Sequence, residues 1–217
     1  MKKETLKNRI TRIAEIVHRL KLEYPDSKCS LNYKTPFQLL VATILSAQCT
    51  DERVNKVTSV LFSKYPDAKS FSRLSSKKIG KLIYSTGFYN NKSKNIKSMS
   101  DIVHNKYEGQ IPKDINSLVS LPGVGRKTAN VVLGNVFNIP ALVVDTHVTR
   151  ITNLLKFVNT RNAVKIEKIM CKIVESKDWS IFAHLLIDHG RKICVANKPK
   201  CLDCTLSNLC PSTLANS

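Results

Sequence analysis

At 217 residues the chain can bury a sizeable core, as one large domain or two small ones, and its 42% apolar and 24% charged residues are ordinary for a globular protein. No segment approaches the roughly 20 consecutive apolar residues that a membrane-spanning helix needs, which excludes that class. Thirty-five Lys and Arg against 16 Asp and Glu leave a formal net charge of +19, an excess that opposes compaction by self-repulsion and points to a polyanionic partner.

The charge is clustered. From Lys64 to Lys97 nine basic residues stand with a single acid, Asp67, and Phe88 and Tyr89 lie in the same stretch. A second basic group, Arg191, Lys192, Lys198 and Lys200, surrounds the first cysteines of the C-terminal region. Local basic clusters with interleaved aromatics favour nucleic acid over a uniform lysine bias. The N-terminus lacks the apolar run of a secretion signal, so the seven cysteines are expected in a reducing compartment, where metal binding outweighs disulfide formation. A cytoplasmic, nucleoid-associated protein is expected.

The elements read as helices nearly throughout. Leu6, Ile10, Ile13, Val17 and Leu20 keep helical spacing until Tyr24-Pro25-Asp26 interrupts it. Thr35-Pro36-Phe37-Gln38 places an N-cap, an N1 proline and an N3 glutamine before an apolar run to Leu45. Thr50-Asp51-Glu52 opens another helix, with Val54, Val57, Val60 and Leu61 on one face. Further helices are expected over Ser75–Ser85, Ser93–Asn105, Asp114–Ser120, Lys127–Phe137, Thr146–Phe157, Asn162–Glu175 and Ser180–Cys194, with Pro or Gly at the joints. No alternating strand pairs and no tandem repeat stand out, so the fold class is all-α.

The segment from Asp114 to Phe137 reads as a helical hairpin. Pro122 stops the first helix, and Gly123 and Gly125 permit a tight turn with exposed backbone. The next helix then offers unpaired N–H groups at the positive end of its dipole, an arrangement suited to a phosphate. Glycine turns that serve packing alone are also common.

Lys127 follows this turn, and Asp145 lies downstream in Val144-Asp145-Thr146-His147. A lysine amine can displace a base from a sugar carbon, hold the sugar as a Schiff base and promote elimination, provided that it is neutral. Partial burial and the start of its own helix would lower its pKa from roughly 10.4, whereas a nearby carboxylate would raise it. The benefit of Asp145 therefore lies in the reaction, in taking a proton and stabilising positive charge on the sugar. On spacing alone Lys127 reads as a solvated helix residue and Asp145 as an acid at a helix N-terminus, with Thr146 or Asp145 as the cap.

Leu121-Pro122-Gly123-Val124-Gly125-Arg126-Lys127-Thr128-Ala129, with Val144-Asp145-Thr146-His147, resembles the helix–hairpin–helix and aspartate motif of the endonuclease III family, whose members are bifunctional DNA glycosylase/lyases for oxidised pyrimidines. The likeness extends from Leu31-Asn32-Tyr33 to Cys210. It implies that Lys127 is the nucleophile and Asp145 the catalytic carboxylate. Adenine-specific relatives lack the lysine, which favours the lyase-competent branch. The competing readings are a monofunctional mismatch or adenine glycosylase of the same fold, and a non-catalytic helix–hairpin–helix DNA-binding protein. Leu121, Gly123, Gly125 and Arg126 are expected at the DNA backbone.

Cys194, Cys201, Cys204 and Cys210 are separated by six, two and five residues. Four soft thiols within so short a loop read as one metal site, and spacing alone leaves zinc and iron–sulfur level. The resemblance implies one 4Fe–4S cluster, in a loop whose Arg191, Lys192, Lys198 and Lys200 face phosphates. Cys29, Cys49 and Cys171 read as core or helix residues.

A base within a duplex must be rotated out before chemistry can reach it. The segment around Gln48 resembles the family's loop with a gap-filling glutamine, and Gly87-Phe88-Tyr89-Asn90-Asn91-Lys92 resembles the loop whose apolar tip wedges into the base stack. Phe88 stands where leucine is frequent, and a phenylalanine can stack as well as wedge. The resemblance also implies two helical domains, a six-helix domain over residues 29–139 and a discontinuous cluster domain of 1–28 and 140–217, with DNA in a cleft between them. The partner is duplex DNA with a damaged base or abasic site, bound by a monomer.

Overall fold

The computed structural model describes residues 4–213, and its regular elements are all helical. In chain order the α-helices are α1 (Leu6–Glu23), α2 (Pro36–Leu45), α3 (Asp51–Lys64), α4 (Ala68–Ser72), α5 (Ser76–Ile83), α6 (Tyr89–Lys106), α7 (Ile115–Val119), α8 (Arg126–Val136), α9 (Thr146–Leu154), α10 (Ala163–Met170) and α11 (Trp179–Lys192). Short 3-10 turns lie at Tyr84–Thr86, Ser176–Asp178, Cys201–Asp203 and Ser207–Leu209. Among the described residues no helix is long and apolar enough to cross a membrane.

The chain folds as two compact units: Cys29–Ile139, and the segment up to Lys28 joined with the segment from Pro140 onward. In the first unit α2 is the central helix, with every residue from Phe37 to Leu45 buried. It packs on α3, α6 and α8, while α6 also receives α4 and α5. The expected start of α2 is present: Thr35 Oγ1 accepts from Gln38 N at 3.2 Å behind an N1 proline. Gln38 reaches one residue further back than a capping box requires, its Oε1 accepting from Lys34 N at 2.8 Å. In the second unit α11, with Phe182, Leu185 and Leu186 buried, packs against both α1 and α9.

Three sequence expectations need correction. The first unit contains seven α-helices among the described residues, because α4 was missed. Five residues carry no periodicity, and its signal is the Asp67–Ser70 capping box, in which Ser70 N donates to Asp67 Oδ1 at 2.8 Å and Asp67 N to Ser70 Oγ at 3.3 Å. Helix α6 begins at Tyr89, four residues before the expected Ser93. Its N-cap, Phe88, has φ +49° and no capping side chain, so the usual start signal is missing. Cys29, Cys49 and Cys171 are only half-buried, and all three lie outside any helix, Cys171 as the C-cap of α10.

Candidate functional site

The hairpin is built from α7, the turn Ser120–Gly125 and α8. Asp114 caps α7 by accepting from Ser117 N at 2.8 Å. Leu121, expected at the DNA backbone, is buried, with its N–H donating to Leu118 O at 3.1 Å and its carbonyl accepting from Val124 N at 3.1 Å. It supports the turn from beneath. Gly123, Gly125 and Arg126 are exposed on the turn.

Gly123 has φ +78°, and a Cβ there would stand 2.8 Å from the Cβ of Asn95 on α6. Both the conformation and the close approach require glycine. Gly125 is the N-cap of α8 and brings no capping side chain, and the first backbone bond of the helix runs from Ala129 N to Gly125 O at 3.0 Å. The start of α8 therefore points N–H groups outward with no side-chain cap over them, the arrangement that binds a phosphate.

Lys127 is exposed in this first turn, so the partial burial expected for it is absent. Asp145 belongs to the other unit and is the N-cap of α9, its Oδ1 accepting from Val148 N at 2.8 Å. Of the two candidate caps, Thr146 and Asp145, the helix uses Asp145. The cap also fixes the carboxylate, because Asp145 is half-buried behind the buried run Ala141–Val144. His184 on α11 lies within the electrostatic reach of Asp145, and burial pushes its imidazole below the ordinary histidine value, with Asp188 and Asp145 opposing. Its helical position carries no signal that reveals this proximity.

Gln48 and Phe88 are both exposed, and both have the left-handed backbone that non-glycine residues rarely adopt, at φ +54° and +49°. Beside Phe88, the exposed Tyr84 contacts Tyr89 with ring centroids 4.8 Å apart. Of the nine basic residues between Lys64 and Lys97, seven are exposed, Lys97 is half-buried in an ion pair with Asp101 at 2.6 Å, and Lys92 is buried. Arg191, Lys192, Lys198 and Lys200 are exposed around the cysteine loop.

Cys194, Cys201, Cys204 and Cys210 line one cavity of about 200 Å³, together with Leu155, Leu206 and His189. Burial pushes the Cys204 thiol up to about 11 and raises Cys194 and Cys210, with neighbouring cysteine thiolates adding to each shift. Among the described residues no three His, Cys, Asp or Glu side chains converge on a single ion. His189 is buried beside the cysteines, its Nε2 3.5 Å from Cys204 Sγ and its Nδ1 3.1 Å from Tyr24 Oη. Arg150 on α9 secures the start of the loop by donating from Nη2 to Cys194 O at 2.6 Å and Gly190 O at 3.2 Å. Neither residue was singled out from the sequence, because one arginine and one histidine on helices carry no spacing signal.

Comparison with known proteins identifies the family. Residues 41–176 match the family model of the HhH-GPD superfamily base excision DNA repair protein. Endonuclease III of Synechocystis sp. (strain ATCC 27184 / PCC 6803 / Kazusa) is 48% identical over 94% of this chain and 94% of its own length. Endonuclease III of Escherichia coli (strain K12) is 39% identical over 90% and 93%. Among solved structures, a non-covalent endonuclease III–DNA complex superposes with a TM-score of 0.90 at 39% identity, covering 95% of this chain and 97% of that one. A trapped endonuclease III–DNA covalent intermediate has the same TM-score and identity, covering 95% and 98%. The chain belongs to the endonuclease III family, within the HhH-GPD superfamily of base excision DNA repair proteins.

Proposed function

We infer that the protein is a base excision repair enzyme, a bifunctional DNA glycosylase and AP lyase that uses Lys127 as its nucleophile on duplex DNA. The observation that carries this is an exposed lysine in the first turn of a helix with a glycine N-cap, after a hairpin whose Gly123 tolerates no side chain. The likeness to an endonuclease III trapped covalently on DNA supports it.

The neutral Lys127 Nζ attacks the sugar C1′. The N-glycosidic bond breaks, and its electron pair leaves with the base, which is protonated. Asp145 accepts the proton that the attacking amine releases and stabilises positive charge on the sugar, held in place by its cap to Val148 N. The sugar ring opens to a Schiff base on Lys127, a C2′ proton is lost, and the C3′–O bond breaks, cutting the strand 3′ to the abasic site. Gln48 and Phe88 occupy the gap left by the extruded nucleotide. Gly123, Gly125 and Arg126 anchor one stretch of backbone phosphates, and Arg191, Lys198 and Lys200 another.

The substrate class is oxidised pyrimidine. On duplex DNA containing thymine glycol, free thymine glycol and a nicked strand are expected together. Base release without nicking would indicate a monofunctional glycosylase, and neither product would indicate a binding module.

The cysteine site fits a 4Fe–4S cluster better than zinc. A lone zinc ion holds four sulfurs at about 2.3 Å, whereas among the described residues no three of these cysteines are placed to hold one ion, and all four line a cavity of about 200 Å³. Cys194, Cys201, Cys204 and Cys210 would hold the cluster, which when bound supplies a rigid cross-link for the loop instead of base-excision chemistry. Purified protein is therefore expected to be yellow-brown, and Cys204→Ser to be pale with a lowered iron content. Colourless protein containing one zinc would contradict the assignment.

A further inference from the structure

Lys92 is counted by sequence among the basic residues of a DNA-facing stretch, yet it is buried in the first turn of α6. Its Nζ donates to two backbone carbonyls, Leu45 O at 2.8 Å and Thr86 O at 2.7 Å. Leu45 is the last residue of α2, three positions before Gln48, and Thr86 ends the 3-10 turn two positions before Phe88. The backbone N–H of Lys92 also donates to Phe88 O at 3.1 Å. One residue thus holds the roots of both loops.

These loops are the ones that need holding. Gln48 and Phe88 sit in left-handed backbone, and Gly87 adds a third positive φ of +69° directly before Phe88. Such conformations persist only where the surroundings over-determine them. A buried ammonium is costly unless it is hydrogen-bonded, so its place between two helix-end carbonyls is a committed interaction.

We propose that Lys92 is a positioning residue for base extrusion, a buried clamp that keeps Gln48 and Phe88 at the fixed separation needed to fill the gap from both loops. The proposal rests on the reading of Gln48 and Phe88 given above. Its effect belongs to the step in which a paired nucleotide leaves the stack, and a single-stranded abasic site requires no such step.

The test compares two rates in the same preparation: thymine glycol excision from a duplex, and strand cleavage at an abasic site in a single-stranded oligonucleotide. Their ratio is insensitive to the fraction of enzyme that folds. Lys92→Met is expected to lower the ratio roughly 10- to 100-fold, the scale of a positional error in a reacting complex, and Lys92→Gln, which keeps N–H donors on a shorter chain, by less. The double variant Gln48→Ala/Phe88→Ala is expected to lower it too, and adding Lys92→Met to that pair to change it no further.

A Lys92→Met ratio equal to wild type, with a lowered ratio in the double variant, overturns the clamp and leaves the loop reading intact. Multiplicative effects in the triple variant overturn it as well, because Lys92 would then act independently of the two tips. An unchanged ratio in Gln48→Ala/Phe88→Ala overturns the loop reading and the clamp together.

Discussion

Lys127→Ala is expected to retain DNA binding and to lose strand cleavage at abasic sites by at least about 10³-fold, on the scale of removing a covalent nucleophile. The substitution sits on an exposed position of α8, so its cost in stability is expected to be small. Alanine also favours the helix. The hairpin is untouched, because Gly123 and Gly125 make the turn and Leu121 supports it from the core. Binding to an uncleavable abasic analogue should therefore stay within a few-fold of wild type. Cleavage that survives in this variant would place the nucleophile on another amine.

Asp145→Asn separates structure from chemistry at the other position. Asparagine caps helices as well as aspartate does, so the bond now made from Val148 N to Asp145 Oδ1 persists and stability should change by less than about 1 kcal/mol. The amide cannot take a proton, and it carries no charge to stabilise a cationic sugar. Single-turnover excision is expected to fall by roughly 10²- to 10⁴-fold, the usual contribution of a positioned acid–base group. Asp145→Ala adds a cap loss of about 1 kcal/mol. An Asp145→Asn enzyme with near-normal excision and an unchanged melting temperature would reduce Asp145 to a cap.

The all-helical fold was legible because caps and breakers punctuate the chain. Thr35, Thr50, Asp114 and Asn162 each accept from the N–H three residues on. What escaped was the first turn of α6, whose start behind Phe88 obeys no cap rule, and the five-residue α4, too short to show a period. The grouping of the four cysteines was legible from the density of thiols alone. The cavity that they line was not, because spacing does not say what lies between them.

Charge counting was the least reliable guide. It grouped Lys92 with exposed neighbours, although its hydrogen bonds to Leu45 and Thr86 close contacts that only the folded chain brings together. It also gave Lys127 no distinction from the other lysines. The structure leaves Lys127 exposed, so burial does not set it apart from the other lysines either. Leu121 shows the same limit from the other side, since a motif position expected at DNA turned out to be core.

The central claim is that Lys127 forms a covalent bond with the damaged sugar. Borohydride reduction during turnover on thymine glycol duplex, followed by proteolysis and mass mapping of the DNA-linked peptide, tests it most directly. The adduct is expected on Lys127 alone, and absent from Lys127→Ala. An adduct mapped to any other residue, or base release and nicking with no trapped complex, would contradict it.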